Sequence, residues 1–194
     1  CPTRKRLIIV YWGNIDVAIH AHGSADGAWE AQFDSLTQSF EDSFLNALTA
    51  QQRHGTGLVI CADHGWVDAP VESAHDTDAD PVLAEELLIP YSGEARAAYL
   101  HLRRGPCPEV LTALREALGE GYAVAEMERA VAAGLFGQTR PAPESLARLG
   151  HALAIGRGER YLDRLGKRFK IRGRHGGLSP REMLIPWLAV RLDA

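Results

Sequence analysis

Two apolar runs of strand length, LIIVYW at residues 7–12 and GLVICA at 57–62, bracket a stretch with helical periodicity. Between them Trp29, Phe33, Leu36, Phe40, Phe44 and Leu48 recur at steps of three and four, which sets them on one face of a helix. Gly55 is placed to end it. Strand, long helix and strand within about 60 residues make a βαβ unit, whose crossover predicts parallel strands of right-handed sense. The expected fold is therefore α/β, a mainly parallel sheet flanked by helices. The second run continues into Asp63, His64 and Gly65. It reads as a buried strand, so the acid and the imidazole are expected where the strand leaves the sheet, the edge at which open α/β proteins bind ligands.

Beyond that point residues 63–83 are polar and turn-rich and read as a loop. ARAAYLHLRR (95–104) reads as a strand, CPEVLTALREALGE (107–120) as a helix opened by Pro108, YAVAEMER (122–129) as a strand and AVAAGLFG (130–137) as a short helix. Residues 95–137 are expected to pack beside the main sheet, with Val110, Leu111, Leu114 and Leu118 as the buried stripe. This predicts an inserted α+β lobe at 91–164 within a core formed by 1–90 and 165–194. HALAIGRG (151–158) reads as a weak strand. Near the end, Ser179, Pro180 and Glu182 fit a helix start with a cap, a first-turn proline and a capping-box acid. Pro186 should stop that helix and release WLAVRL (187–192) as the last strand.

A chain of 194 residues is long enough for one substantial core with an appendage. Its net charge of -4 lacks the basic footprint of a nucleic-acid binder, so none is expected as a partner. No apolar run approaches the roughly 18–20 residues of a membrane span. Cys1, Cys61 and Cys107 are scattered and odd in number, which suggests neither a disulfide framework nor a cysteine-rich zinc site. The compartment stays open, with a lean towards a reducing cytoplasm. The first residue is Cys1 and methionine occurs only at 127 and 183. An opening straight into a core strand predicts a piece of a longer chain.

Three clusters carry chemistry. Asp16 and His20 are four residues apart, a spacing that aligns them on one helical face. Asp63 and His64 are adjacent at the predicted strand end. His175 lies in GRHGGLSP, whose glycines permit close backbone approach and unusual dihedrals. Carboxylates and imidazoles together suit zinc and related first-row metals, whereas calcium and magnesium prefer oxygen-only shells.

YWGNIDVAIHAHG, VICADHGW and GRHGGLSPREMLIPWL resemble the later motifs of the alkaline phosphatase superfamily, in its type I phosphodiesterase/nucleotide pyrophosphatase branch. The order D-x-x-x-H, D-H-G, H-G-x-x-x-P-x-E-M is reproduced, while residues 76–165 match only loosely. The resemblance implies two divalent ions, zinc with manganese as the alternative. By position Asp16, His20 and His175 would hold one ion, and Asp63 and His64 the other, with Gly65 letting the chain turn away. It also implies a threonine or serine nucleophile upstream of Asp16. Apart from Tyr11, Thr3 is the sole hydroxyl there and has no nucleophile-turn context. The expectation is thus the C-terminal part of a phosphate ester or phosphodiester hydrolase acting on a small molecule. The piece alone should be inactive, and an exposed sheet edge should favour self-association. Mutase-type phosphate transfer and a non-catalytic metal-binding or assembly module are the alternatives.

Other residues have plainer readings. His22 is a solvated loop histidine that could join a hydrogen-bond shell, and His54 is a helix C-terminal partner. Asp76, Asp78 and Asp80 alternate as in a calcium loop but lack its glycine and distant glutamate. Cys61 reads as core packing. Arg172 and Arg174 flank His175 and are either phosphate contacts or surface charge.

Overall fold

Asn14–His22 forms the first helix, α1, closed by Gly23 at φ 76°, whose N–H donates to the Ile19 carbonyl. The computed structural model describes residues 5–164 and 171–193. The long apolar-faced helix expected next is interrupted. Ala28–Phe40 (α2) widens into a π turn at Glu41–Leu45, and a new helix, Ala50–Arg53 (α3), starts at Thr49. Thr49 and Gln52 exchange the two bonds of a capping box, Gln52 Oε1 accepting from the Thr49 N–H at 2.8 Å. A cap in mid-run offers the backbone a fresh start, and this one takes it.

The strands and remaining helices follow as β1 (Gly57–Cys61), β2 (Val67–Asp68), β3 (Ala74–Asp76), α4 (Pro81–Glu86), β4 (Ser92–Glu94) and β5 (Ala97–Leu100). Next are α5 (Pro108–Leu118), β6 (Tyr122–Glu126), α6 (Met127–Ala132) and α7 (Pro143–Leu149). The chain ends through β7 (Ala152–Gly156), β8 (Tyr161–Asp163), β9 (Gly173–Arg174), α8 (Pro180–Met183) and β10 (Trp187–Arg191). Segment 63–83, expected as a loop, thus holds two short strands and the first half of α4.

The fold is mixed α/β, but the expected mainly parallel sheet is not what the described residues form. Only β3 and β8 pair in parallel; β1–β10, β2–β9 and the sheet β4-β5-β7-β6 are antiparallel. The physical reason lies at residues 7–12. This predicted first strand pairs with nothing among the described residues, and Leu7 is 85% and Val10 84% exposed. Without it the crossover has no parallel partner, and β1 pairs with the C-terminal strand instead.

The densest packing lies in the middle of the chain. Val110, Leu111, Leu114 and Leu118 of α5 are buried as the stripe predicted, against Leu100, Tyr122, Ala152 and Ala154 of the four-stranded sheet. Leu83 and Leu87 pack into the same cluster, so α4 sides with this lobe rather than with the stretch before residue 91. The strand read as weak, β7, is central in the sheet between β5 and β6, with Ala152, Leu153 and Ala154 buried. By contrast β1 and β10 leave Val59, Trp187 and Val190 more than half exposed.

A fully buried ion pair ties the four-stranded sheet to the C-terminal segment. Arg96, fully buried just before β5, meets Glu182 of α8 in a bidentate pair, Nε to Oε1 at 2.6 Å and Nη2 to Oε2 at 2.9 Å. Burial alone would raise the Glu182 pKa. The hydrogen bonds from Arg96, Ser179 and the Gly177 N–H outweigh it and bring it down to about 2.

Two outcomes are expected. Leu114→Ala should cost about 2–5 kcal/mol in urea unfolding, as for a fully buried leucine, while Val190→Thr on the exposed strand should stay within about 0.5 kcal/mol. Glu182→Gln should cost about 3–5 kcal/mol at neutral pH by stranding the Arg96 charge. Since the folded-state pKa lies below the ordinary 4.5, the Glu182 contribution is complete above that pH and fades as pH falls towards 2. Urea midpoints of wild type and Glu182→Gln should therefore converge on acidification; a gap unchanged between pH 7 and acid would contradict the low value.

Candidate metal centre

Asp16 and His20 stand one turn apart on α1, with His20 Nε2 3.4 Å from Asp16 Oδ1. The helix end is fixed to β9 by two bonds: the Arg172 N–H donates to the His20 carbonyl at 2.8 Å, and His20 Nδ1 lies 2.7 Å from the Gly173 carbonyl. A carbonyl can only accept, so Nδ1 is the donor in the latter bond and Nε2 is the nitrogen turned towards Asp16. Gly173 allows the approach, since a Cβ there would overlap Ile19 of α1.

His175 follows β9 directly. Its side chain brings a third donor, so that one ligand atom each from Asp16, His20 and His175 lie within 4.8 Å of one another. Burial first, then the neighbouring His64 ring, lowers the His175 pKa against the opposing pull of Glu94 and Asp16. A neutral imidazole is the form that can donate its lone pair to a cation. Gly176, at φ 93°, turns the chain immediately afterwards, and its backbone lies so close to the Glu94 side chain that a Cβ would collide with it. One carboxylate and two imidazoles, with one imidazole held by a backbone carbonyl behind it, form a donor set that fits zinc.

Asp63 and His64 fall just beyond β1, as their position after GLVICA predicted. His64 stacks on His175, ring centroids 3.7 Å apart and planes 16° from parallel. Asp63 is more exposed and is 3.8 Å from His64 Nε2. The structure thus gathers Asp16, His20 and His175 into one group and sets His64 beside them. Asp63 and His64 are outside that group. Gly65 has no positive φ, so its backbone conformation is one that any residue adopts. It serves by contact: a Cβ would overlap the Arg181 carbonyl, and the Gly65 N–H donates to the Glu182 carbonyl at 2.8 Å.

The remaining candidates have local partners. His22 pairs with Asp26 at 2.8 Å and His54 faces Asp193 at 3.4 Å. Asp80 caps α4 and holds His75 at 2.7 Å, Asp76 accepts from the Asp78 N–H, and Asp78 pairs with Arg164. These three acids are thus engaged separately rather than as a calcium loop. Arg174 packs over the Tyr161 ring and pairs with Asp163 at 3.0 Å, whereas Arg172 is exposed. Cys61, expected in core packing, is exposed because the strand that carries it is covered only in part. Thr3 lies outside the described residues. Sequence reasoning found Glu182 as a helix cap but missed Arg96, for a lone arginine before a strand carries no signal of its partner.

The model of the type I phosphodiesterase/nucleotide pyrophosphatase family matches residues 2–177. Murine ectonucleotide pyrophosphatase/phosphodiesterase 5 superposes with a TM-score of 0.62 at 16% identity, over 93% of this chain and 46% of its own. An inactive form of the murine protein in complex with AMP gives the same values. The human counterpart gives 0.50 at 18% identity, over 86% of this chain and 39% of its own. At these identities the superpositions speak for the fold, and the chain spans less than half the length of each. No curated protein matches the chain. On the family match across nearly its whole length, the chain belongs to the type I phosphodiesterase/nucleotide pyrophosphatase family.

Proposed function

We propose that this chain is the C-terminal part of a metal-dependent hydrolase of phosphate esters, with a small phosphodiester as its substrate. The convergence of Asp16, His20 and His175 from distant parts of the sequence is the observation that supports it most. In this reading those three residues hold one divalent ion, and Asp63 with His64 contributes to a second. Zinc suits the donors, with manganese as the alternative. Bound there, the ions would polarise phosphoryl oxygens and stabilise the entering and leaving oxygens of an in-line displacement.

The chain's own residues contribute orientation. His20, held through Nδ1 by the Gly173 carbonyl, aims Nε2 at the side where Asp16 stands. His175 sits between the two histidines, 5.1 Å from the His20 ring centroid and stacked on His64, which is how two neighbouring ion sites could share one wall. The attacking threonine or serine is assigned to a segment of the parent enzyme that this chain does not contain, and residues 91–164 to a lobe that shapes substrate choice. The AMP complex of the murine relative makes nucleotide phosphodiesters the first substrates to assay.

Zinc affinity is expected to fall by at least the 10–100-fold that loss of even an outer-shell partner costs when His20 or His175 is replaced by alanine. Competition with a chromophoric chelator measures it, and unchanged affinity in both variants would sink the metal centre. Separately, this 194-residue chain should not hydrolyse bis-nitrophenyl phosphate, whereas a form extended upstream to a threonine or serine in a strand-to-helix turn should. Equal rates in the two would place the nucleophile within these residues.

A further inference from the structure

His175 lies on a short loop between β9 and α8, and the two ends of that loop are anchored differently. Its start is tied to α1 through β9. Its far end is organised by the Glu182 carboxylate, which accepts from the Gly177 N–H at 2.8 Å and from Ser179 Oγ at 2.6 Å. That carboxylate is itself gripped by Arg96, and the guanidinium is steadied by lobe carbonyls, Nη1 donating to Arg160 at 2.9 Å and Nη2 lying 3.5 Å from Gly156. The segment that carries Arg96 also bears Glu94, which packs against Gly176 beside His175. Both Arg96 and Glu182 are buried, so the linkage is shielded from water and its geometry is fixed by the planar fork of the arginine.

We propose that Arg96 is a positioning residue for the metal centre: through Glu182 it sets the loop that presents His175, so the lobe helps to determine how well the centre takes an ion. Its zinc arm rests on the metal-centre reading above. A lysine at 96 would keep the charge but offer one compact ammonium in place of a two-point fork. Glu182 would then be held loosely, and with it Gly177 and the backbone that leads from His175.

The test uses four variants of the full chain. Arg96→Lys keeps the charge, and Arg96→Met with Glu182→Gln removes both charges together, so that neither is stranded in the interior. Leu114→Ala is a control that weakens the lobe core without touching the linkage, and His20→Ala tests the centre itself. The readouts are circular dichroism, the imidazole resonances of the metal-free protein labelled at histidine, and zinc affinity. Both linkage variants are expected to stay folded, to shift the His175 ring resonances, and to bind zinc about tenfold or more weakly. Leu114→Ala should lower the melting temperature yet leave those resonances and the affinity in place. Folded linkage variants with wild-type His175 resonances and affinity within about twofold of wild type would overturn the proposal. Should His20→Ala bind zinc as wild type does, His20 is no ligand and the zinc arm loses its support, and the His175 resonances of the metal-free linkage variants still decide whether Arg96 positions that ring.

Discussion

A charged pair with no access to water joins the four-stranded sheet to the C-terminal segment. Arg96 and Glu182 are both almost completely buried, a circumstance that is costly unless every donor and acceptor finds a partner. Here most of them do: the guanidinium makes two contacts to the carboxylate and one each to the Arg160 and Gly156 carbonyls, and the carboxylate takes three further bonds from its own loop. Hydrophobic burial would hold the lobe against the C-terminal segment at many angles. A bidentate pair accepts essentially one.

Around that pair the backbone runs unusually close to its neighbours, and glycine is what allows it. Gly173 against Ile19, Gly65 against Arg181 and Gly176 against Glu94 are places where a single added carbon would overlap another residue. Each sits next to a residue of the candidate centre: Gly65 after His64, Gly176 after His175, and Gly173 two positions before it. His64 and His175 are each followed directly by glycine, which lets the backbone on that side pass close to its neighbour. Only Gly176 among these also requires a left-handed backbone conformation.

Much of the candidate centre was legible because its information is local. A four-residue spacing on a helix places Asp16 near His20 wherever the helix goes, and an apolar run ending in Asp63 and His64 places those at a strand end. The α5 stripe was legible for the same reason. What the sequence hid was pairing at long range. LIIVYW has the composition of a core strand, yet burial depends on a neighbour, and within the described residues it has none. GLVICA was read in a parallel unit and pairs antiparallel with β10, because nothing in five apolar residues specifies direction. The fresh start of α3 has a signal in Thr49 and Gln52, a cap pattern that the strong apolar periodicity of the run masks. Arg96 had no pattern at all, since its meaning comes from a residue far along the chain.

The pairing of β1 with β10 joins residues 57–61 to residues 187–191, and the lobe lies entirely between them. Closing so large a loop has an entropic cost that short-range contacts do not carry. The lobe's own helix and hairpins meet over much shorter separations, and all of its strands leave the ribosome before β9, α8 and β10. The lobe is therefore the part whose contacts can form early, with Arg96 already inside it. Glu182 follows that part of the chain, so its counter-charge is already synthesised when it appears. The loop that bears His175 is thus translated after the surface on which the Glu182 carboxylate rests.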